Sequence, residues 1–152
     1  DEWNVGKSID WHLLEFEKHY QIQQYVKALN HLYKQEPALW KYDFDGKGFE
    51  WINCSDYEAS YVSYVRYADK KEDTLVILAN FTPVPRFFHT TGVPYAGKYE
   101  EIFNSDSFEF GGSGVINDNI INSVERDYDG KDHAIDLRVP PLGVTILKYC
   151  GE

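Results

Sequence analysis

Between His19 and Glu36 the apolar residues recur at helical spacing. Ile22, Tyr25, Val26, Leu29, Leu32 and Tyr33 follow the i, i+3, i+4, i+7 rule of an amphipathic helix. Pro37 ends the pattern, because the residue before a proline avoids helical geometry, so the spacing predicts a helix over 19–36. Ahead of it, residues 1–18 show no clear period and carry Trp3, Trp11 and Phe16 among polar residues. That composition suits a loop held against a larger body.

Beyond Pro37 the helical period does not return, and short strand-like runs follow, separated by turn residues. They are 49–54 after Asp45-Gly46, 61–67 before the charged turn 69–73, and 74–81, which is nearly all apolar. A strand covered on both faces reads that way. Further runs at 86–90 and 98–103 flank Gly92-Val93-Pro94, and 143–149 closes the series. In 134–139, Ile135, Leu137 and Val139 share one face, opposite Asp136 and Arg138. The Asn-, Asp-, Ser- and Gly-rich stretch 104–133 reads as a long loop holding at most one short strand. Seven or so strands with regular turns and no helix between them predict a mainly β fold, an antiparallel β-sandwich preceded by one α-helix.

Composition narrows the partners. The 152 residues include 25 aromatic rings (4 Trp, 12 Tyr, 9 Phe), more than a small core usually needs. A net charge of −10 repels phosphate backbones and anionic lipid alike, so neither nucleic acid nor a membrane surface is an expected partner. The longest apolar run, Leu75 to Ala79, is far short of the ~20 residues that span a bilayer. Cys54 and Cys150 form no CxxC and no disulfide framework, and read as two isolated thiols in a cytoplasmic protein. With no methionine anywhere, the chain is expected to be a piece of a longer polypeptide.

Candidate chemistry is sparse. His12, His19, His31, His89 and His133 lack metal-ligand spacing and read as surface or hydrogen-bonded residues; no metal site and no cofactor are expected. Gly111-Gly112-Ser113-Gly114-Val115 has Val where a nucleophile elbow needs Gly, and reads as a flexible turn. The carboxylates cluster in turns such as Asp43/Asp45 and Asp127/Asp129, as solvated acidic loops do. Exposed rings on a sandwich can stack on the C–H faces of sugars, whereas Tyr61, Tyr64, Tyr67, Tyr99 and Phe103 lie in predicted strands, where rings serve the core.

Several motifs together resemble one family. Glu2-Trp3-Asn4, Asp10-Trp11-His12-Leu13-Leu14, Leu29-Asn30-His31-Leu32-Tyr33 and Glu36-Pro37-Ala38-Leu39 are similar, in order, to stretches of bacterial glycogen branching enzymes of the alpha-amylase superfamily. So are Gly48-Phe49-Glu50-Trp51-Ile52, Asn80-Phe81-Thr82-Pro83-Val84-Pro85-Arg86, Gly111-Gly112-Ser113-Gly114 and Pro140-Pro141-Leu142. The matches run from residue 2 to about 147. After Trp3-Asn4 the chain departs from the family's acidic pair, with Val5-Gly6-Lys7 in its place.

The resemblance implies that residues 1–36 end a (β/α)₈ catalytic barrel, as its last loop and last helix, and that 40–152 form the all-β carboxyl-terminal domain. Barrel active sites lie at the carboxyl ends of the strands, so the 1–18 loop would stand near the catalytic face. Trp3, Asn4, Asp10 and Trp11 are then the candidate substrate-binding residues. The family's catalytic carboxylates belong to earlier barrel strands, so no catalytic residue is expected here. The implied reaction is cleavage of α-1,4 glucan and transfer of the chain to a 6-hydroxyl, with an α-glucan and the missing barrel as partners. A related amylase-type or debranching hydrolase, or a free-standing glycan-binding module, are the alternatives. A helix parted from its barrel leaves apolar residues uncovered, which predicts a homodimer of the isolated chain through that stripe.

Overall fold

The computed structural model describes residues 4–152. A long helix, α1 (Glu17–Gln35), precedes nine strands: β1 (Phe49–Asn53), β2 (Tyr61–Arg66), β3 (Leu75–Asn80), β4 (Arg86–Val93), β5 (Lys98–Asn104), β6 (Ile121–Asn122), β7 (Val124–Tyr128), β8 (Lys131–Val139) and β9 (Gly143–Gly151). The helix stops where its sequence requires, because Glu36 is already extended (φ −101°, ψ 100°) ahead of Pro37.

The strands form two antiparallel sheets, in the orders β1-β2-β3-β9-β5-β6 and β4-β8-β7. Their facing sides enclose the main core, in which Val65, Val76, Leu78, Tyr99, Ile135 and Leu147 have no exposed surface. The alternation in β8 does what it predicts: Ile135, Leu137 and Val139 are buried, while Asp136 and Arg138 face water. The outer side of the six-stranded sheet carries a second core, where Leu32 of α1 and Ala38 meet Leu75, Ile77, Phe103 and Ile146. Strand β3 therefore reads as a continuous apolar run because it lies between two cores.

Three stretches depart from the sequence expectation. The amino-terminal segment contains a 3-10 turn over Trp11–Glu15 and is not wholly loop. The 104–133 stretch holds two strands, β6 and β7, and its glycine-rich part is pinned. There the Asp106 carboxylate accepts from Ser113 N (2.7 Å), Ser113 Oγ (2.7 Å) and Val115 N (2.8 Å). Gly112 approaches so closely that a Cβ would lie 2.2 Å from the Asp106 carbonyl oxygen, and that contact, not flexibility, explains the glycine. Lastly, the apolar arc of α1 is wider than one contact can cover. Tyr25, Leu29 and Leu32 pack on the sheet, while Ile22, Val26 and Tyr33 remain exposed.

Candidate functional site

Two surfaces combine exposed aromatic or apolar groups with fixed positions. The first is the amino-terminal segment together with the outer face of α1. Asn4 is exposed, and its side chain turns back to accept from Gly6 N (3.0 Å). Asp10 precedes the 3-10 turn, its carbonyl oxygen accepting from Leu13 N (3.0 Å), and makes no side-chain cap. Trp11 is 60% exposed. Trp3 lies outside the described residues. Asn4, Asp10 and Trp11 are thus placed on one solvent-facing segment leading into α1. Along the helix, Ile22, Val26, Lys27 and Asn30, with His19 and His31, form one exposed face.

The second surface is the free edge of the six-stranded sheet. In β1, Ile52 turns into the main core, so Phe49 and Trp51 point the other way. The Trp51 indole is half exposed and held edge-on by Phe49 (4.8 Å, 90°) and by its cross-strand partner Tyr64 (5.8 Å, 78°). Such pairs fix a ring's orientation. The alternation of Phe-Glu-Trp-Ile-Asn carries the signal for this outward tryptophan. Tyr61, Tyr99 and Phe103, in contrast, are buried as strand rings.

Polar contacts fasten α1 to the sandwich. Lys148 Nζ of β9 donates to both oxygens of the buried Glu36 (2.7 and 2.9 Å). Arg66 donates from Nε to Ala38 O (3.0 Å) and from Nη2 to Asp43 Oδ1 (2.9 Å). These anchors join residues far apart in sequence, and no local pattern marks them.

The titratable groups are arranged for structure. Burial pushes the Glu101 carboxyl up, opposed by donation from Asn117 and Asn104. His89, expected at the surface or hydrogen-bonded, instead presents a buried Nε2 with no partner, packed edge-on to Tyr61 at 4.6 Å. Burial, with Arg86 nearby, holds its pKa below 6.5. Cys54 and Cys150 are free and exposed. Among the described residues no group of three or more His, Cys, Asp or Glu side chains is disposed to hold a metal ion, and no helix is long and apolar enough to cross a membrane.

Comparison with known proteins places these surfaces in context. The chain is 48% identical over 147 residues to the 1,4-alpha-glucan branching enzyme GlgB of Cellvibrio japonicus, covering 97% of this chain and 20% of that protein. It is 46% identical over 151 residues to the enzyme of the same name from Thermosynechococcus vestitus, covering 99% and 20%. The chain thus spans about a fifth of the length of these relatives. A crystal structure of alpha-amylase from H.orenii aligns with 79% of this chain and 18% of that one, at 20% identity and a TM-score of 0.45. The family described as "Alpha amylase, C-terminal all-beta domain" matches residues 51–150, from the exposed tryptophan of β1 to the end of β9. On that match the chain belongs to the alpha-amylase C-terminal all-beta domain family.

Proposed function

We propose that this chain is the carboxyl-terminal part of a glycogen branching enzyme. The whole protein cleaves an α-1,4 glucan and transfers the released chain to a 6-hydroxyl, creating an α-1,6 branch. The observation that carries this reading is the 48% identity to a 1,4-alpha-glucan branching enzyme over 97% of the chain. In this reading, residues 1–36 close the catalytic barrel and 40–152 form the appended domain. The exposed outer face of α1, with Ile22 and Val26, supports it as a surface waiting for the barrel. Asn4, Asp10 and Trp11 lie toward the catalytic face and, with Trp3, contact glucan, while Trp51 offers a second stacking ring. The nucleophile and the acid/base carboxylate stand in the barrel, since a retaining transfer needs such a pair about 5–5.5 Å apart. The protein works in the cytoplasm.

The test incubates the full-length protein with amylose and follows iodine absorbance, reducing ends and α-1,6 linkages released by a debranching enzyme. New α-1,6 linkages with few new reducing ends are expected. Reducing ends without branches would make the parent a hydrolase, and no change in either would leave a binding module. The 152-residue chain alone is expected to be inactive, because catalysis of this kind requires both carboxylates.

A further inference from the structure

A third apolar face lies at the end of the sandwich where β3 turns into β4 and β8 turns into β9. Phe81, Val84, Phe87 and Leu142 are each more than half exposed there, and Phe88 is 97% exposed. A whole aromatic side chain presents ~150–250 Å², so these five side chains together leave about 600 Å² bare. That is the upper end of the largest apolar patch on an ordinary monomer, and patches of this size mark interaction sites.

The face is held in shape. Asn80 Nδ2 donates to Val84 O and to Pro140 O (2.9 Å each), and Asn80 Oδ1 accepts from Thr82 N (3.0 Å). Leu142 N donates to Thr82 O (2.8 Å), which ties the two turns together. Pro83, Pro85 and Pro141 restrict the backbone between these bonds. Arg86, the one charged residue in 81–88, turns its Nη2 back to Ala59 O (2.6 Å). A surface that needs no ordering loses little entropy on association.

An irregularity aims the two rings of β4, which is a free edge of its sheet. Arg86 pairs with Val139 and His89 with Leu137, so Phe87 and Phe88 together oppose Arg138. Such a bulge breaks the ladder and re-aims side chains. It also blocks an extended peptide from adding here as a further strand, because strand addition needs a regular edge. A partner at this place meets side chains and not backbone.

Charge and area select the partner. No Asp or Glu occurs from Thr74 to Tyr99, although the chain holds 25 of them and a net charge of −10. Two copies of such a chain repel one another over most of their surfaces, and least where carboxylates are missing. The rim is mixed, with Asp56 and Glu58 on the neighbouring 54–60 loop and Arg138 across the bulge. An apolar face is complementary to itself, as a two-fold pair requires. Two such faces bury about 1,200 Å² in total, the lower limit of standard interfaces and the range of transient ones. We infer that this face pairs with the same face of a second copy, as a weak two-fold dimer that forms at high protein concentration and parts on dilution. Strand β4 belongs to the sheet away from α1, so the pairing is separate from the α1 stripe, and it holds whatever reaction the whole protein performs.

Sedimentation velocity of the full-length protein, run from micromolar to submillimolar concentration, tests the inference. The mean sedimentation coefficient is expected to rise toward that of a dimer. It should rise further in sodium sulfate, which screens the repulsion between acidic copies and strengthens apolar burial. Phe88→Asp removes a ring that the fold leaves in water, so thermal unfolding should match the native protein. Its dissociation constant should rise by about a hundredfold or more, because each pair loses two rings. Phe88→Leu should restore association. Phe44→Asp, at a fully exposed ring beyond the opposite end of β1 and β2, should leave it unchanged. A protein that stays monomeric throughout, a dimer that salt dissociates, or a Phe88→Asp variant that associates like the native protein would each overturn the inference. A lowered melting temperature for Phe88→Asp would overturn it too, by showing that another part of the same polypeptide covers this face.

Discussion

Glu36 and Lys148 offer the sharpest test of how α1 is held. Glu36 sits at the carboxyl end of the helix, where its N–H donates to Leu32 O (2.9 Å) and the helix dipole disfavours a negative charge. The carboxylate is tolerated because Lys148 Nζ lies 2.7 and 2.9 Å from its two oxygens. The two partners differ in access to water: the side-chain exposure is 10% for Glu36 and 28% for Lys148. That asymmetry predicts unequal losses. Lys148→Met strands a carboxylate that water barely reaches, and breaking a buried pair in that way costs about 3–5 kcal/mol. Glu36→Gln frees an ammonium that can swing toward solvent and keeps one acceptor, so it should cost about 1 kcal/mol, the net worth of one hydrogen bond. The double variant Glu36→Leu/Lys148→Met should recover most of the Lys148→Met loss, because a well-packed apolar pair replaces the ionic one. Urea unfolding followed by circular dichroism and by tryptophan fluorescence gives all three values. Equal losses for the two single variants, or a larger one for Glu36→Gln, would refute the reasoning that exposure decides the penalty.

Other outcomes follow from single sites. His89 faces Tyr61, Arg86, Asp56 and Asp129, and its pKa is held below 6.5 by burial first and Arg86 second; the unfolded chain therefore binds a proton that the folded chain resists. Stability should be full above about pH 6.5 and fall as the pH drops below it, and thermal melts of His89→Gln should show a shallower decline. Gly92→Ala would place a Cβ 2.3 Å from the carbonyl oxygen of Tyr128; as the neighbour is backbone, a loss of about 1–3 kcal/mol is expected in denaturant unfolding. The isolated chain should self-associate through the exposed half of the α1 stripe, and Ile22→Asp/Val26→Asp should return it to monomer in light scattering, with Leu29 left untouched because it packs on the sheet.

What the sequence reveals follows from which interactions are local. Helix α1 and strand β8 are legible because burial imposes a period, and the run in β3 because two cores cover it. The Asp106 clamp is not legible, since a carboxylate gathering three donors seven to nine residues away leaves no periodic trace. Strands β6 and β7 are hidden for a similar reason: β7 is exposed along its whole length, so no apolar alternation announces it. The division of the α1 stripe is likewise invisible, because Ile22 and Leu29 are equally apolar and only the docking angle separates them. Of the candidate site, the resemblance singles out Asn4, Asp10 and Trp11, which the structure sets on one exposed segment. Glu50 and Lys131, an ion pair 81 positions apart in sequence, are brought together only by the folded chain.

The second core, with Leu32 and Ala38 set against Leu75, Ile77, Phe103 and Ile146, bears on how such proteins diverge. A sandwich that relied on its own two sheets could be lost, duplicated or exchanged between proteins with little consequence. Here the outer sheet face is finished by a helix that precedes it in the chain. Replacing residues 40–152 with a foreign sandwich would leave Leu32 without its partners. Moving the sandwich alone to another protein would wet Leu75 and Ile77, at about 1.5–3 kcal/mol for each fully exposed side chain. Recombination that preserves folding must therefore cut ahead of Glu17 and carry the helix along, and the two faces of α1 must evolve under separate constraints, one set by the sheet and one by the exposure of Ile22 and Val26.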